Sequence, residues 1–148
     1  MSETTSNNQA ATLNSQSDAT KIDGSVSISL KSYNKIFTRT NVSTKEGSSH
    51  FEIFATNEDS SYGLTLKVHN DFKDGENPLN IIYDMQFWAR QWNGWFDVYS
   101  LARDAEGGIS FMLNADGSIR QIDFQLYLKL GAYGNLDLTT GQINLSSK

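Results

Sequence analysis

Aromatic and hydrogen-bonding side chains are concentrated in one stretch of the chain, between Leu79 and Arg103. This stretch holds all three tryptophans of the protein, and Asp, Gln and Arg residues lie among the rings. A planar indole can stack on the apolar face of a sugar ring, while carboxylate, amide and guanidinium groups hydrogen-bond the sugar hydroxyls. The stretch therefore predicts recognition of a carbohydrate or glycoconjugate. The candidate ligand-binding residues are Trp88, Trp92, Trp95, Tyr99, Arg90, Asp97, Gln86 and Asp84.

The same sequence offers little for catalysis. It contains no cysteine and only two histidines, His50 and His69, so thiolate chemistry is excluded and an ordinary zinc site is not expected. It has neither a Gly-x-Ser-x-Gly motif nor a phosphate-binding glycine loop. Asp84 and Asp97 fall about 20 Å apart along the predicted strands, whereas glycosidase carboxylates lie about 5 to 9.5 Å apart. We therefore expect a non-catalytic protein without a cofactor or a metal.

The loop from Asn70 to Pro78 has the acidic composition of a calcium site. It fails the EF-hand pattern, because Phe72 stands where an oxygen ligand is needed if Asn70 opens the loop. Asp74-Gly75 is an ordinary turn signal. We interpret this loop as a turn.

Asn93-Gly94 predicts a hairpin at the centre of the aromatic stretch. A two-residue type I′ turn needs positive φ at both of its positions, and Asn and Gly tolerate this best. The resulting register places Trp92 opposite Trp95 and gives the hairpin one apolar face and one aromatic face. The apolar face is predicted to look into the core, and it carries Gln91, Phe96, Ala89, Val98, Phe87, Ser100, Met85, Ala102 and Tyr83, with Ile81 and Leu79 beyond.

The aromatic face carries all eight candidate residues in this register. It also opposes Arg90 to Asp97 and Asp84 to Arg103, and opposed charges of opposite sign stabilise a ladder by about 0.2–1 kcal/mol each. A slip of one residue would swap the two faces and break both pairs. The charge pairs therefore favour the predicted register.

Four interpretations of the aromatic face are open at the level of sequence. It can be an exposed ligand platform, or a layer of the protein's own core can cover it. It can also be the seam of a homo-oligomer or a surface that inserts at a membrane interface, where Trp and Tyr are enriched. A large exposed apolar patch is uncommon on a monomer, so an open platform implies a partner.

The remaining elements are read from alternation with a period of two, which is typical of half-buried strands. No segment has the pattern of a long amphipathic helix. We predict an all-β fold, an antiparallel β-sandwich of about ten short hairpin-connected strands, with an up-and-down β-barrel as the alternative. Residues 1–24 are polar and are predicted to be a disordered tail, and residues 25–148 a single β domain.

Two further turns set the registers near the C-terminus. Asp116-Gly117 predicts a tight hairpin that opposes Phe111 to Ile122. Thr140-Gly141 predicts another that pairs Leu136 with Leu145 and Leu138 with Ile143. Between these turns runs the clearest alternation in the chain. Its inward side is predicted to be Ile122, Phe124, Leu126, Leu128 and Leu130.

Charge and targeting signals narrow the function classes. The formal net charge of −5 argues against nucleic acid as a partner. No signal peptide or transmembrane segment is recognised, which favours a cytoplasmic location or export by a non-classical route. The sequence therefore predicts a lectin-like binding module. The alternatives are a membrane-surface or pore-forming β protein and a self-associating assembly subunit.

Overall fold

The computed structural model describes residues 20–30, 33–37, 41–91, 93–103, 106–131 and 134–145, with the backbone alone for 33–37. These residues form twelve β-strands and one 3-10 turn over Leu79–Ile81, and no α-helix occurs among them. None of the helical structure in this part of the chain is long and apolar enough to cross a membrane. The strands are β1 (Thr20–Ile22), β2 (Gly24–Leu30), β3 (Tyr33–Phe37), β4 (Asn41–Glu46), β5 (His50–Thr56), β6 (Tyr62–His69), β7 (Gly75–Asn77), β8 (Ile82–Arg90), β9 (Phe96–Leu101), β10 (Gly108–Leu113), β11 (Ile119–Leu130) and β12 (Leu136–Leu145).

All strand pairs are antiparallel, and they form one sheet in the order β1-β4-β5-β6-β8-β9-β11-β12-β2-β3. β10 lies off this path and pairs with both β11 and β7. Most neighbours in the sheet are also neighbours in sequence, so hairpins make most of the connections. The predicted all-β class with antiparallel, hairpin-connected strands is confirmed.

The sheet curls back on itself through the segment that contains β1 and β2. Asp23 alone separates these two strands, yet β1 pairs with β4 and β2 pairs with β12. This short piece of chain thus joins β1, at one end of the strand order, to β2, which lies next to β3 at the other end. This curvature gives the sheet an inner side, which holds the core, and an outer side.

The described part of the predicted tail is strand. Residues 20–22 pair with residues 42–44 of β4, and Ile22 packs against the core. The folded part of the chain therefore begins before the predicted boundary at Ser25. One apolar side chain in a polar stretch gives no period-two signal, which is why the sequence pattern missed β1. The rest of the predicted tail, residues 1–19, lies outside the described residues.

The core is filled by alternate side chains that point to the inner side of the sheet. The predicted alternation along β11 is confirmed for Ile122, Phe124, Leu126 and Leu128, all of which are buried. Leu130 was predicted to face inward but is 36% exposed. β11 ends at this residue, and the chain leaves the sheet through Gly131, whose φ is +65°.

β12 runs without interruption through the predicted Thr140-Gly141 turn. Gly141 lies opposite Phe124, and a Cβ at Gly141 would approach the Phe124 ring to 2.2 Å. The glycine therefore makes room for a cross-strand aromatic ring and does not turn the chain. The predicted hairpin at this position is wrong.

The continuous β12 reverses the usual alternation in its first half. Leu136 and Leu138 are 50% and 43% exposed on the outer side, whereas Asp137 and Thr139 are buried on the inner side. Asp137 Oδ1 has no hydrogen-bond partner in the described part of the chain. Leu136 and Leu138 therefore lie opposite Lys129 and Tyr127 of β11 and do not make the predicted pairs with Leu145 and Ile143.

Candidate functional site

The hairpin between β8 and β9 closes with a turn that differs from the predicted one. The Gln91 N–H donates to Trp95 O at 2.6 Å, and the Gly94 N–H donates to Gln91 O at 3.0 Å. Gly94 has a φ of +90°, whereas the φ of Asn93 is not positive. This is the pattern of a three-residue hairpin loop closed by a left-handed glycine, not of a two-residue type I′ turn. Asn93 Oδ1 instead accepts the N–H of Trp95 at 3.1 Å, as in an Asx turn.

The longer loop moves β9 by one position along β8. Trp88 lies opposite Val98 and Phe87 lies opposite Tyr99, whereas the prediction opposed Trp88 to Tyr99. Side chains alternate along a strand, so this shift turns every β9 side chain to the other face. Tyr99 is accordingly 2% exposed, with its ring centroid 6.1 Å from that of Phe87. The predicted register is wrong, and Tyr99 belongs to the core.

The structure brings five of the eight candidate residues onto one surface. The residues that alternate outward along β8 are Asp84, Gln86, Trp88 and Arg90. Trp95 lies in the turn beside them and is 74% exposed, the largest exposed fraction among the large hydrophobic residues that the structure describes. Trp92 lies outside the described residues. We call the outward surface formed by Asp84, Gln86, Trp88, Arg90, Trp95 and Phe96 the Trp88 face.

Trp88 is held in place from two sides. Its indole lies against Gly63 of β6, where a Cβ would come within 2.3 Å of the ring. The ring of Phe96 meets the indole edge-on, with centroids 5.7 Å apart and planes at 86°. Trp88 is half-buried as a result, and its ring orientation is set before any ligand arrives.

A row of hydrogen-bonding side chains crosses the sheet next to Trp88. Thr65 of β6 lies opposite Gln86 of β8, and Gln86 lies opposite Ser100 of β9. This row is two residues along the strands from the row of Gly63, Trp88 and Val98. Hydroxyl and amide groups therefore stand beside the indole on the same side of the sheet.

The turn between β5 and β6 borders the other end of the Trp88 face. Arg90 N–H donates to Ser61 O at 2.7 Å, and Arg90 Nη2 lies 3.4 Å from Asp59 O. Hydrogen bonds from the Ser61 side chain and N–H hold the pKa of Asp59 below its ordinary value, with smaller contributions from Asn57 and the charge of Arg90. Asp59 therefore stays ionised beside the arginine.

The predicted pairing of Arg90 with Asp97 does not occur in the ladder. Arg90 lies opposite Phe96, and Asp97 lies opposite Ala89 on the inner side of β9. Asp97 is half-buried there and accepts a hydrogen bond from Gln91 Nε2. Asp97 is thus removed from the candidate surface by the same shift that buries Tyr99.

The second predicted pair is also replaced. Asp84 lies opposite Lys67 of β6, so its charged neighbour comes from the other side of β8. The Arg103 guanidinium donates to the backbone carbonyls of Ile82, at 3.0 Å, and Tyr83. Asp84 keeps an opposite charge nearby, although not the predicted one.

Four apolar residues stand on the outer side of β9 and β12. Their exposed fractions are 49% for Phe96, 40% for Val98, 50% for Leu136 and 43% for Leu138. Tyr83, which was predicted to face the core with Phe96 and Val98, is also exposed, at 49%. We call Leu136 and Leu138 the aliphatic patch. The exposure of Phe96 and Val98 was not predicted, because the length of the loop before β9 determines to which side of the sheet these side chains point. The exposure of Leu136 and Leu138 was not predicted, because β12 continues through Gly141.

The geometry holds no carboxylate pair suited to hydrolysis at the predicted location. Asp84 and Asp97 now lie on opposite sides of the sheet. No group of three or more His, Cys, Asp or Glu side chains within the described ranges is arranged to hold a metal ion. What the site offers is a fixed aromatic ring with hydrogen-bonding neighbours.

No protein-family model, no curated protein and no solved structure matches this chain.

Proposed function

We propose that this protein is a non-catalytic, lectin-like binding module that recognises neutral carbohydrate through the Trp88 face. The observation that carries the proposal is the position of Trp88. Its indole is fixed by Gly63 and Phe96 and stands beside the row of Thr65, Gln86 and Ser100.

Such an arrangement suits a sugar because a pyranose ring presents both C–H groups and hydroxyls. The C–H face can stack on the indole, and the amide and hydroxyl groups of the neighbouring row can bond the ring hydroxyls. A ring that is already oriented loses little side-chain entropy on binding. A few well-placed polar groups around an aromatic surface are what ligand sites commonly use for specificity.

The charges of this surface favour an uncharged ligand. Lys67 lies opposite Asp84, and Arg90 lies beside the turn that holds the ionised Asp59. Each cation thus has a carboxylate near it, and the formal net charge of the chain is −5. Sulfated or sialylated glycans and nucleic acids need a net positive surface, so they fit this site poorly.

The proposal is tested by binding to an array of neutral and anionic glycans, with isothermal titration of the oligosaccharides that bind. Trp88→Ala should weaken binding by about tenfold or more, since it removes the stacking surface. Met112→Ala removes a side chain that is 40% exposed on β10 and serves as the matched control, with affinity unchanged. Equal affinities for the two variants would rule out the Trp88 face as the binding site.

Self-association is a second candidate function, favoured by the aliphatic patch. Leu136 and Leu138 on β12 offer hydrocarbon to the outer surface, and aliphatic side chains contribute little to sugar recognition. Sedimentation velocity over a hundredfold range of protein concentration tests this function. A concentration-dependent dimer that Leu138→Glu abolishes supports it. A monomer at every concentration contradicts it, and co-sedimentation of that monomer with phosphatidylcholine vesicles would assign the patch to a membrane surface.

A further inference from the structure

A groove runs along the outer side of β11, away from the Trp88 face. β7 and β10 border it on one side and β12 on the other, and its volume is about 980 Å³. This volume is at the upper end of the range of about 300–1,000 Å³ found for small-molecule sites. Its polar lining comes from Glu76, Glu106, Ser110, Asp123, Gln125 and Tyr127.

Two adjacent glycines shape the wall of this groove. A Cβ at Gly107 would come within 2.7 Å of Gln125 O and 3.3 Å of Leu126 Cα, so the backbone lies directly against β11. A Cβ at Gly108 would meet only Glu76 Oε2, at 3.8 Å. Because neither residue has a side chain, the space above the outward groups of β11 stays open.

Asp123 is the fixed centre of the polar lining. Gln121 Nε2 donates to its Oδ2 and Gln142 Nε2 to its Oδ1, each at 2.8 Å. Asn144 Nδ2 donates in turn to Gln142 Oε1 at 3.1 Å. A carboxylate has about four acceptor positions, so one amide from the same strand and one from β12 orient Asp123 and leave acceptor capacity on both oxygens. Two adjacent sugar hydroxyls can donate to such a pair of oxygens in charge-assisted hydrogen bonds.

Apolar surface lies at the end of the groove nearest the turn after β11. Tyr127 is half-buried and lies opposite Leu138 in the ladder, and both line the groove. The tyrosine ring can take the C–H face of a sugar whose hydroxyls reach Gln125 and Asp123. No Lys or Arg is among the described lining residues, which disfavours an anionic ligand.

We propose that this groove is a second carbohydrate subsite, which takes a neutral sugar with vicinal hydroxyls. The inference rests on the proposed function in that both sites take neutral glycan. The two sites are separate, because Tyr127 lies two strands over and four residues along from Trp88. That offset is on the order of 16 Å at about 4.8 Å per strand and about 3.3 Å per residue.

The test uses the full chain and a panel of neutral oligosaccharides built from mannose, glucose, galactose or N-acetylglucosamine. Asp123→Asn removes the carboxylate and retains the shape of the side chain. Ser110→Phe fills the groove and keeps the side chains of Gln121 and Gln142 that hydrogen-bond Asp123. Each should weaken binding by about tenfold or more, because the first substitution removes a charge-assisted hydrogen bond and the second occupies the space of the ligand. Met112→Ala, on the same strand as Ser110, should bind as the wild type does. Thermal melting of each variant verifies that the fold is intact.

The outcomes separate the two sites. If the groove variants and Trp88→Ala each weaken binding and their combination abolishes it, both sites are supported. If only the groove variants weaken it, the groove is supported and the Trp88 proposal fails. If only Trp88→Ala weakens it, or if the wild type binds none of the panel, the groove proposal is overturned.

Discussion

At the scale of single residues, the orientation of β9 decides which aromatic side chains a ligand can reach. Tyr99 is buried against Phe87, and its neighbour Val98 is 40% exposed. In the register expected from Asn93-Gly94, Tyr99 would be on the outer face and Val98 would face the core. The exposure of a ring on this strand therefore depends on one loop residue, not on the chemistry of the ring.

This orientation predicts opposite effects for two adjacent substitutions. Tyr99→Ala should lower the free energy of unfolding by about 3–5 kcal/mol, as other truncations of core aromatics do, while Val98→Ala should cost no more than about 1 kcal/mol. Urea denaturation followed by circular dichroism measures both. A larger loss for Val98→Ala than for Tyr99→Ala would restore the type I′ register.

A second prediction concerns the contact between Gly63 and Trp88. Gly63→Ala places a methyl group where the indole lies, 2.3 Å from the nearest ring atom, so the ring has to move. Glycan affinity should fall although every group of the Trp88 face is still present, because the pre-set ring orientation is lost. Met112→Ala is the control, since Met112 is 40% exposed on β10 and lies outside both the Trp88 face and the groove along β11. Unchanged affinity in Gly63→Ala would mean that the ring orientation is irrelevant to binding.

At the scale of elements, two hairpins with related turn signals explain what the sequence could and could not predict. The loop before β11 has the same hydrogen bonds as the loop before β9: Asn114 N–H donates to Ser118 O, Gly117 N–H donates to Asn114 O, and Gly117 has a φ of +88°. Both Asn-Gly and Asp-Gly thus produced three-residue loops where two-residue turns were expected.

The two predictions nevertheless had different outcomes. Between β10 and β11, an irregularity between Met112 and Leu113 shifts the register a second time and compensates for the longer loop. The predicted opposition of Phe111 to Ile122 is therefore confirmed. Between β8 and β9 the ladder continues from Arg90 and Phe96 without a compensating irregularity, and the faces of β9 are reversed. Local turn chemistry located both hairpins, but the compensating bulge depends on packing that a single sequence does not reveal.

The strands themselves were predicted where alternation is long and clean. β8 carries Asp84, Gln86, Trp88 and Arg90 outward as expected, and β11 buries the four predicted apolar residues from Ile122 to Leu128. β12 was predicted to be interrupted at Gly141, because a glycine in the sequence looks like a turn signal. The glycine instead leaves room for the ring of Phe124 on the neighbouring strand, which is a requirement of tertiary packing. The groove along β11 was also missed, since it is formed by strands distant in the chain.

At the scale of the whole molecule, the segment with β1 and β2 joins one end of the strand order to the strand next to its other end. This role predicts that a chain beginning at Gly24 is less stable than one beginning at Thr20. Loss of the β1–β4 ladder and of the Ile22 contact should cost on the order of 1 kcal/mol, or about 2–4 °C in Tm for a domain of this size. Calorimetry of the two truncated proteins measures the difference. Identical melting temperatures would show that β1 contributes nothing to closing the sheet.

Two binding modes, sugar binding and self-association, are proposed for one small domain because its outer side carries different kinds of surface. The outer side presents the fixed ring of Trp88, the aliphatic patch and the groove along β11. The formal net charge of −5 disfavours anionic partners in general. A neutral glycan that reaches both the Trp88 face and the groove would gain avidity from their linkage. Sugar binding and self-association can be distinguished, since the first depends on added glycan and the second on protein concentration.

The most direct test of the central claim follows the indole N–H resonance of Trp88 in proton–nitrogen correlation spectra during titration with a neutral oligosaccharide that the array selects. The resonance is assigned by its disappearance in Trp88→Phe. We predict that the Trp88 signal shifts with saturation at the same concentration as binding measured by calorimetry, since the ligand stacks on that ring. A Trp88 signal that stays in place while calorimetry reports saturation would contradict recognition through the Trp88 face.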